Sequence, residues 1–200
     1  NRSNSSTNNT LDHNDLAFKL ATADSLQSVL PKTLLTFETQ INSGVEEQNT
    51  LSLLVLLSST DTCESSLYHS ENLDIPENII QSLHKQFTIS KTQISPQNSL
   101  FFNQINKTLL PVHLFNHEQQ HVWLLYLFNP AHISLEQLRW KTPSFENTLI
   151  KGLEAWCQTE SKVKAALHTE RATYAAELHD SIAQILGYLK IKSTTLDKLC

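Results

Sequence analysis

The sequence predicts an α+β fold, because its hydrophobic period changes twice along the chain. Apolar residues recur every three or four positions near the N-terminus and again after Pro130, which is typical of amphipathic helices. Between these two regions, short apolar runs with polar flanks are typical of strands buried in a sheet. We therefore expect an antiparallel sheet flanked by an N-terminal helix and by a long C-terminal helix.

The N-terminal region begins as a predicted linker. Residues 1–10 are almost wholly Asn, Ser and Thr and contain no apolar side chain to bury. From Leu11 the spacing indicates one amphipathic helix, which Pro31 is expected to kink and which ends near Ser43 and Gly44. Its apolar positions are Leu16, Leu20, Ala23, Leu26, Leu30 and Leu34.

The strongest strand signals lie in the middle of the chain. Residues 51–57 form a short apolar run, the profile of a strand buried on both faces. Residues 109–115 and 121–128 flank a polar stretch and predict a β-hairpin with its turn centred at His117. Pro111 is expected near the start or the edge of its strand, where a missing N–H is tolerated.

Weaker signals lie between these strands. Residues 61–72 are polar and predict a loop. Residues 75–83 predict a short helix with Pro76 in its first turn. Residues 87–89 predict a short strand, and residues 100–102 are apolar without a defined period.

The C-terminal third is expected to be helical. Ser134 and Gln137 have the spacing of a capping box, and Pro143 is expected at a helix start or at a break. An apolar seam then runs to the end with spacings of three and four, which predicts a coiled coil. Two consecutive steps of four, from Tyr174 to Ile182, form a stutter that locally unwinds the supercoil. The seam comprises Leu149, Leu153, Trp156, Glu160, Val163, Leu167, Tyr174, Leu178, Ile182, Ile185, Leu189, Leu196 and Leu199.

Composition excludes several classes of function. The chain has 200 residues with Lys+Arg 15 and Asp+Glu 20, a net charge of −5 that argues against nucleic acid or an anionic membrane surface as partner. It has neither a GxGxxG nor a GxxxxGK[ST] phosphate-binding motif. No apolar run is long enough to cross a bilayer, and no signal-peptide pattern is present. Because the sequence contains no Met, we expect it to be an excised piece of a longer protein.

Cysteine usage indicates a reducing compartment. Cys63, Cys157 and Cys200 are odd in number, far apart in sequence and without a CxxC pair, so neither a disulfide framework nor a zinc site is expected. A redox or metal role for Cys63 or Cys157 stays open, although isolated cysteines are usually packed as small hydrophobic residues.

Three histidines near the predicted hairpin turn allow two interpretations. His113, His117 and His121 are spaced at four residues, which on a helix would form a metal-binding face. On the hairpin, His113 and His121 would lie opposite each other across two strands, where they could also hold a metal. The alternative is a polar turn flanked by histidines at the strand ends, without a metal.

A second candidate site lies in the last helix. Because Leu178 and Ile182 belong to the seam, His179 is expected on its flank, while Asp180 and Gln184 share a face at i and i+4. A neutral imidazole with a free lone pair is a nucleophile, and a neighbouring carboxylate can fix or accept the proton of its other nitrogen. A side-chain amide can orient a water molecule without acting as a base. These are the groups that phosphoryl chemistry on histidine requires.

The residues around His179 resemble a known motif. The segment ERATYAAELHDSIAQ resembles the phosphoacceptor box of sensor histidine kinases, whose dimerisation helix carries H-D-x-x-x-Q. Its continuation, ILGYLKIK, is most similar to the nitrate/nitrite sensor branch, and the specific resemblance covers residues 170–192. Upstream, the order of helix, strands, hairpin and outgoing helix resembles a GAF-like domain.

The resemblance implies a role for each residue of the motif. His179 would be the phosphorylated residue, Asp180 its acid/base partner, and Gln184 the residue that orients water in the phosphatase reaction. Glu177 and Arg171 match the motif as well and would have supporting electrostatic roles.

The same resemblance implies a domain organisation. Residues 1–10 would be a linker, residues 11–145 a GAF-like signalling domain and residues 146–169 a signalling helix. Residues 170–200 would be a truncated first dimerisation and phosphoacceptor helix.

The parent protein would be a homodimeric kinase of the bacterial inner membrane, and this chain would be part of its cytoplasmic portion. ATP and Mg would bind to a separate domain of the parent, so the piece itself is expected to have no cofactor and no autokinase activity. Phosphate would pass from His179 to an Asp of a response regulator. The alternative is a non-enzymatic ligand-binding or dimerisation module of GAF type, in which His179 and Asp180 are only a solvated face.

Overall fold

Along the described residues, helices come first, strands follow together and helices end the chain, which is the segregated order of an α+β protein. The computed structural model describes residues 12–43, 50–59, 65–71, 73, 78, 80–81, 100–102 and 106–197. The elements in chain order are α1 (His13–Ala21), α2 (Leu26–Ile41), β1 (Ser52–Ser59), β2 (Ser65–His69), β3 (Leu100–Phe102), β4 (Lys107–His117), β5 (Gln120–Phe128), α3 (Leu135–Lys141) and α4 (Pro143–Asp197). Residues up to Cys157 form one compact unit, and residues from Gln158 form a second. Within the described residues, no helix combines the length and the apolar content that a membrane crossing requires.

The strands form one antiparallel sheet in the order β2-β1-β5-β4-β3. The predicted strand at residues 51–57 is confirmed, and β1 is buried on both faces as expected. On one face, Leu53 and Val55 pack with the helices in the main core. On the opposite face, Leu54 and Leu56 pack with Leu109, Leu125 and Leu127 in a second apolar cluster.

The predicted hairpin is also confirmed, with a tighter turn. Strands β4 and β5 pair along their length, and only Glu118 and Gln119 lie between the pair formed by His117 and Gln120. Glu118 adopts a left-handed backbone conformation with a φ of 51°, which closes the turn without a glycine. Pro111 pairs with Leu125 of β5 and lies beyond the residues of β4 that pair with β3.

The prediction of a single N-terminal helix is wrong. The helix breaks after Ala21 and restarts at Leu26, because the Ser25 side chain accepts the Gln27 N–H and caps a new helix. Pro31 lies inside α2, and the helix continues through it to Ile41. The apolar period runs across the break, which explains why the spacing alone suggested one helix.

Two of the weaker signals are resolved differently by tertiary pairing. The predicted loop at residues 61–72 contains β2, whose polar residues pair with β1 at the edge of the sheet. The ambiguous residues 100–102 form β3 against β4. Residues 78, 80 and 81 are helical. The rest of the predicted helix at residues 75–83, the predicted strand at residues 87–89 and the linker at residues 1–10 lie outside the described residues.

The predicted start of the C-terminal helices is confirmed. Ser134 accepts the Gln137 N–H, and the Gln137 side chain accepts the Ser134 N–H, so both partners of a capping box are present at α3. Pro143 is the first residue of α4, where its missing N–H has no partner to lose.

A buried carboxylate fixes the end of α2 to the sheet. Glu38 accepts the Leu53 N–H and the Ser70 hydroxyl, each at 2.6 Å. One turn later, the Asn42 side chain donates to the Leu51 carbonyl and accepts the Leu51 N–H, both at 2.8 Å. Burial raises the pKa of Glu38 above its usual 4.5, and the hydrogen bonds that Glu38 accepts from Leu53 and Ser70 oppose part of that rise. The carboxyl group therefore binds a proton more tightly in the folded protein than in the unfolded chain.

This raised pKa predicts a pH dependence of stability. The contribution of Glu38 is fully present below its unfolded pKa of 4.5 and is lost as the pH rises through the higher folded pKa. Because Glu38→Gln is neutral throughout, we expect the stability of the wild type to fall relative to this variant over that window. Urea unfolding between pH 4 and pH 7 measures the difference. Glu154→Gln, at an exposed position on α4, is the control, and a pH-independent difference for Glu38→Gln would contradict the assignment.

Candidate functional site

The structure places the three predicted site residues together on one exposed stretch of α4. The His179 and Asp180 side chains are 85% and 80% exposed, and the distance from His179 Nδ1 to Asp180 Oδ1 is 3.6 Å. Gln184 is exposed one helical turn after Asp180, so these two residues share a helix face. His179 lies five residues before Gln184, about 140° around the helix, so a docked protein would have to cover the side of the helix between them to reach both.

The helix around this site is stabilised by its own sequence. Ala175, Ala176 and Leu178 are strong helix formers. The Tyr174 hydroxyl donates to the Glu170 carboxylate at 3.1 Å, and the Ser181 hydroxyl donates to the Glu177 carbonyl at 2.8 Å. The supporting residues Arg171 and Glu177 are exposed on the same helix.

The geometry of His179 and Asp180 suits a nucleophilic imidazole. The Asp180 carboxylate lies beside Nδ1 and could accept a hydrogen bond from that nitrogen in the tautomer that carries its proton there. The other nitrogen, Nε2, then carries the free lone pair and can attack an electrophilic phosphorus atom. At 3.6 Å the contact is longer than a hydrogen bond, so a small side-chain rotation is needed before Asp180 can take the proton.

The predicted apolar seam divides into two parts with different environments. Leu149 and Leu153 are fully buried in the core of the first unit and do not form a seam. From Val163 to Ile191 the large apolar side chains are exposed, by 47% to 66%, and we call them the apolar stripe. The side chains of the last two predicted seam residues, Leu196 and Leu199, lie outside the described part of the chain. The stripe comprises Val163, Leu167, Tyr174, Leu178, Ile182, Ile185, Leu186, Tyr188, Leu189 and Ile191.

His179 lies beside this stripe. It follows Leu178 by one residue, which is about 100° around a helix, whereas Asp180 follows by about 200°. A partner that covers the stripe would therefore leave Asp180 on the far side and His179 at the margin. An exposed apolar stripe of this length is unusual on a monomer and indicates an interaction surface.

The predicted pairing of His113 with His121 is wrong. Because the turn lies at Glu118 and Gln119 and not at His117, Asn116 lies opposite His121, and His113, on the far side of a β-bulge, lies opposite Trp123. The His113 and His121 rings remain diagonal neighbours with centroids 5.9 Å apart. His113 instead bonds to the Asn116 side-chain oxygen at 2.6 Å and packs edge-on against Trp123.

All three histidines lie on the two strands of the hairpin, and His117 adjoins its turn. His117 lies 3.9 Å from the Glu118 carboxylate and is one residue away from the turn. Among the residues that the structure describes, no group of three or more His, Cys, Asp or Glu side chains is arranged to hold a metal. Of the cysteines, Cys157 is buried in the first unit, while Cys63 and Cys200 lie outside the described residues.

One cleft opens on the surface between α1 and α2. It has a volume of about 510 Å³ and is lined by lysines and small hydroxyl residues, including Lys19 and Lys32. The hydroxyl groups of Thr22, Ser28 and Thr33 donate to carbonyls of their own helices. The cleft therefore presents few donors that converge on a ligand.

A buried polar contact that the sequence patterns do not predict lies at the start of α4. The Tyr126 hydroxyl on β5 donates to the Glu146 carboxylate in a short hydrogen bond, and the Thr142 hydroxyl lies 3.1 Å from the same oxygen. Burial raises the pKa of the Tyr126 hydroxyl, and the Glu146 charge raises it further. A tyrosine within an otherwise apolar strand is the signal that could have revealed it, because a buried hydroxyl requires a partner.

His179, Asp180 and Gln184 form the candidate site among the residues that the structure describes. They place an imidazole, a carboxylate and an amide on one exposed helix, beside the apolar stripe. Comparisons of this chain with protein-family models, with curated proteins and with solved structures gave no significant match.

Proposed function

We propose that this chain is the signal-relay and phosphoacceptor part of a two-component sensor histidine kinase. The observation that carries the proposal is the segment ELHDSIAQ on an exposed helix, with His179 beside Asp180 and Gln184 one turn further on. The resemblance to the H-D-x-x-x-Q phosphoacceptor box supplies the family, and the geometry is compatible with each role that it implies.

In the proposed reaction, His179 Nε2 attacks the γ-phosphorus of ATP. A P–N bond forms, the bond from the γ-phosphorus to the bridging oxygen breaks, and ADP leaves. Asp180 stabilises the proton on Nδ1 as positive charge develops on the ring. ATP and Mg²⁺ would be bound by a separate domain of the parent, and the phosphoryl group would pass from His179 to an Asp of a response regulator.

The reverse function, removal of phosphate from the regulator, is assigned to Gln184. Its amide can hold a water molecule in line with an acyl phosphate on a docked protein while supplying no base. Because Gln184 lies on the face of Asp180, a regulator placed against Asp180 would also reach the amide.

The first unit is assigned as a GAF-like relay domain. An antiparallel sheet with a helical pair before it and α4 after it has the element order on which that resemblance rests. Nitrate or nitrite as the stimulus, and a parent in the bacterial inner membrane with this part in the cytoplasm, follow from the resemblance of residues 170–192 to that branch.

The apolar stripe supports a homodimer. Burying a Leu or Ile side chain contributes about 1.5–3 kcal/mol, and the stripe offers ten apolar side chains. A second copy presents the same stripe, so two parallel chains can cover each other. The same stripe would serve a non-enzymatic dimerisation module, which is the alternative function.

Labelling of the parent protein distinguishes these two functions. We expect [γ-³²P]ATP to label the wild-type parent on histidine and expect His179→Gln to abolish the label, because the proposal assigns the nucleophile to His179. The measurement is acid-labile, base-stable phosphate on the purified parent, with His168→Gln on the same helix as the control. Labelling that persists in His179→Gln would reject the kinase proposal in favour of the dimerisation module.

The role of Gln184 predicts a separation of two activities. Gln184→Ala should retain histidine labelling of the parent but slow its phosphatase activity toward the phosphorylated regulator by roughly 10²-fold, since the water loses its orientation. Timed loss of label from the regulator, with ADP present, measures the rate. An equal loss of both activities would instead indicate a general defect of the helix.

The apolar stripe predicts self-association of the 200-residue chain. Replacing Ile182 and Ile185 together with Glu should weaken the dimer by about 10³-fold or more, because each burial of about 2 kcal/mol is lost and a charge is introduced. Sedimentation equilibrium over a range of concentrations gives the dissociation constant. Ala176→Glu, away from the stripe, should leave it unchanged, and a wild-type chain that stays monomeric at high concentration would contradict the prediction.

A further inference from the structure

Helix α1 lies directly against the first part of α4, and three separate contacts join them. At one end, the His13 ring nitrogen Nδ1 is 2.8 Å from the Thr148 hydroxyl oxygen. Because that hydroxyl donates its own hydrogen to the Ser144 carbonyl, it accepts the N–H of His13. At the other end, the Trp156 indole N–H donates to the Ala23 carbonyl at 2.9 Å, just beyond α1.

Between these two ends the helices approach unusually closely. A Cβ atom added at Gly152 would lie 2.7 Å from Leu20 Cβ and 3.0 Å from the Ala17 carbonyl oxygen. A glycine inside a helix costs about 1 kcal/mol relative to alanine, so it is disfavoured here unless the backbones need to approach. Gly152 is therefore the residue of α4 against which α1 packs most closely among these contacts.

The order of these contacts shows that the helices run in the same direction. His13 meets Thr148, Leu20 meets Gly152, and Ala23 meets Trp156, so the residue numbers rise together. The His13 ring also packs against Phe145 and Phe37, which ties the start of α1 to the main core. A movement of α1 along its axis is thus directed along the axis of α4.

Helix α1 is short, and a cleft borders it on one side. It has nine residues, and helices of that length are marginal in isolation, so its position depends on its contacts. A break of four residues, from Thr22 to Ser25, separates it from α2. On the α2 side lies the cleft of about 510 Å³, lined by Leu16 and Lys19 of α1 and by Lys32 of α2.

We propose that α1 is an input element that controls His179 by shifting against α4 at the Gly152 contact, so that a signal passes from helix to helix without crossing the sheet. This inference rests on the proposed kinase function, because it assigns the regulation of that same site. Helix α4 begins beside α1 and carries His179 later in the same helix. Small shifts between packed helices are a common means by which an effect is transmitted through a protein.

The test is Gly152→Ala, with Gly187→Ala as a matched control. Both substitutions add one methyl group to a glycine of α4, but a Cβ at Gly187 meets nothing within 4 Å, whereas the Cβ at Gly152 must displace Leu20. In the parent, we expect Gly152→Ala to change the ratio of kinase to phosphatase activity by about 5-fold or more, the lower end of typical allosteric coupling. Gly187→Ala should leave the hydrogen exchange of α1 as in the wild type.

A second measurement does not depend on phosphorylation. Hydrogen exchange of the 200-residue chain should show faster exchange in α1 for Gly152→Ala and also a changed rate in residues 170–185. If α1 changes while residues 170–185 and the activity ratio stay as in the wild type, the relay inference is wrong and the kinase proposal is unaffected. If the wild-type parent shows no label on His179, the kinase proposal fails, and the exchange of residues 170–185 alone decides whether α1 is coupled to them.

Thr148→Val provides a milder variant in case Gly152→Ala does not fold. Valine preserves the shape of the buried threonine but removes the oxygen that accepts the His13 N–H. The expected changes in exchange and in activity ratio have the same direction as those of Gly152→Ala and a smaller size. If Gly152→Ala does not fold, wild-type exchange in residues 170–185 and a wild-type activity ratio in a folded Thr148→Val would by themselves overturn the inference.

Discussion

The attachment of the beginning of α4 to the folded core is the constraint on which the rest of the structure depends. The Tyr126 hydroxyl holds Glu146 against the centre of the sheet, and Phe145 packs on Phe37 with ring centroids 4.8 Å apart. Leu149 and Leu153 extend the same buried surface along the helix. Removing either group would leave the other buried without its hydrogen-bond partner, which costs free energy. The hydrogen bond therefore fixes the position at which the helix starts.

This attachment assigns two different tasks to one helix. Up to Cys157, α4 is part of the core, and its apolar side chains pack against the sheet and the N-terminal helices. From Val163 to Ile191 the large apolar residues are exposed, and the side chains of His179 and Asp180 face solvent. A single continuous apolar spacing thus serves intramolecular packing first and the proposed association with a second copy afterwards.

Local patterns predicted much of the architecture, and the errors have identifiable physical causes. The buried strand β1, the hairpin, the capping box at Ser134 and the helix start at Pro143 all depend on short-range signals that the sequence states clearly. Strand β2 was missed because its polar residues gain strand structure only by pairing with β1. The proposed alignment of His113 with His121 failed because the turn is centred between Glu118 and Gln119 and not at His117, which places Asn116 opposite His121.

From the amino-acid sequence alone come the α+β class, the helical character of the C-terminal third and the spacing that puts Asp180 and Gln184 on one helix face, since each depends on residues a few positions apart. The partners of buried polar groups came from the fold. Glu38 with Ser70, Tyr126 with Glu146, and His13 with Thr148 are distant in sequence and meet only when the sheet and helices have packed. The close contact of Leu20 with Gly152 was also decided by the fold. A glycine in a helical pattern does not indicate which neighbouring residue packs where its side chain is missing.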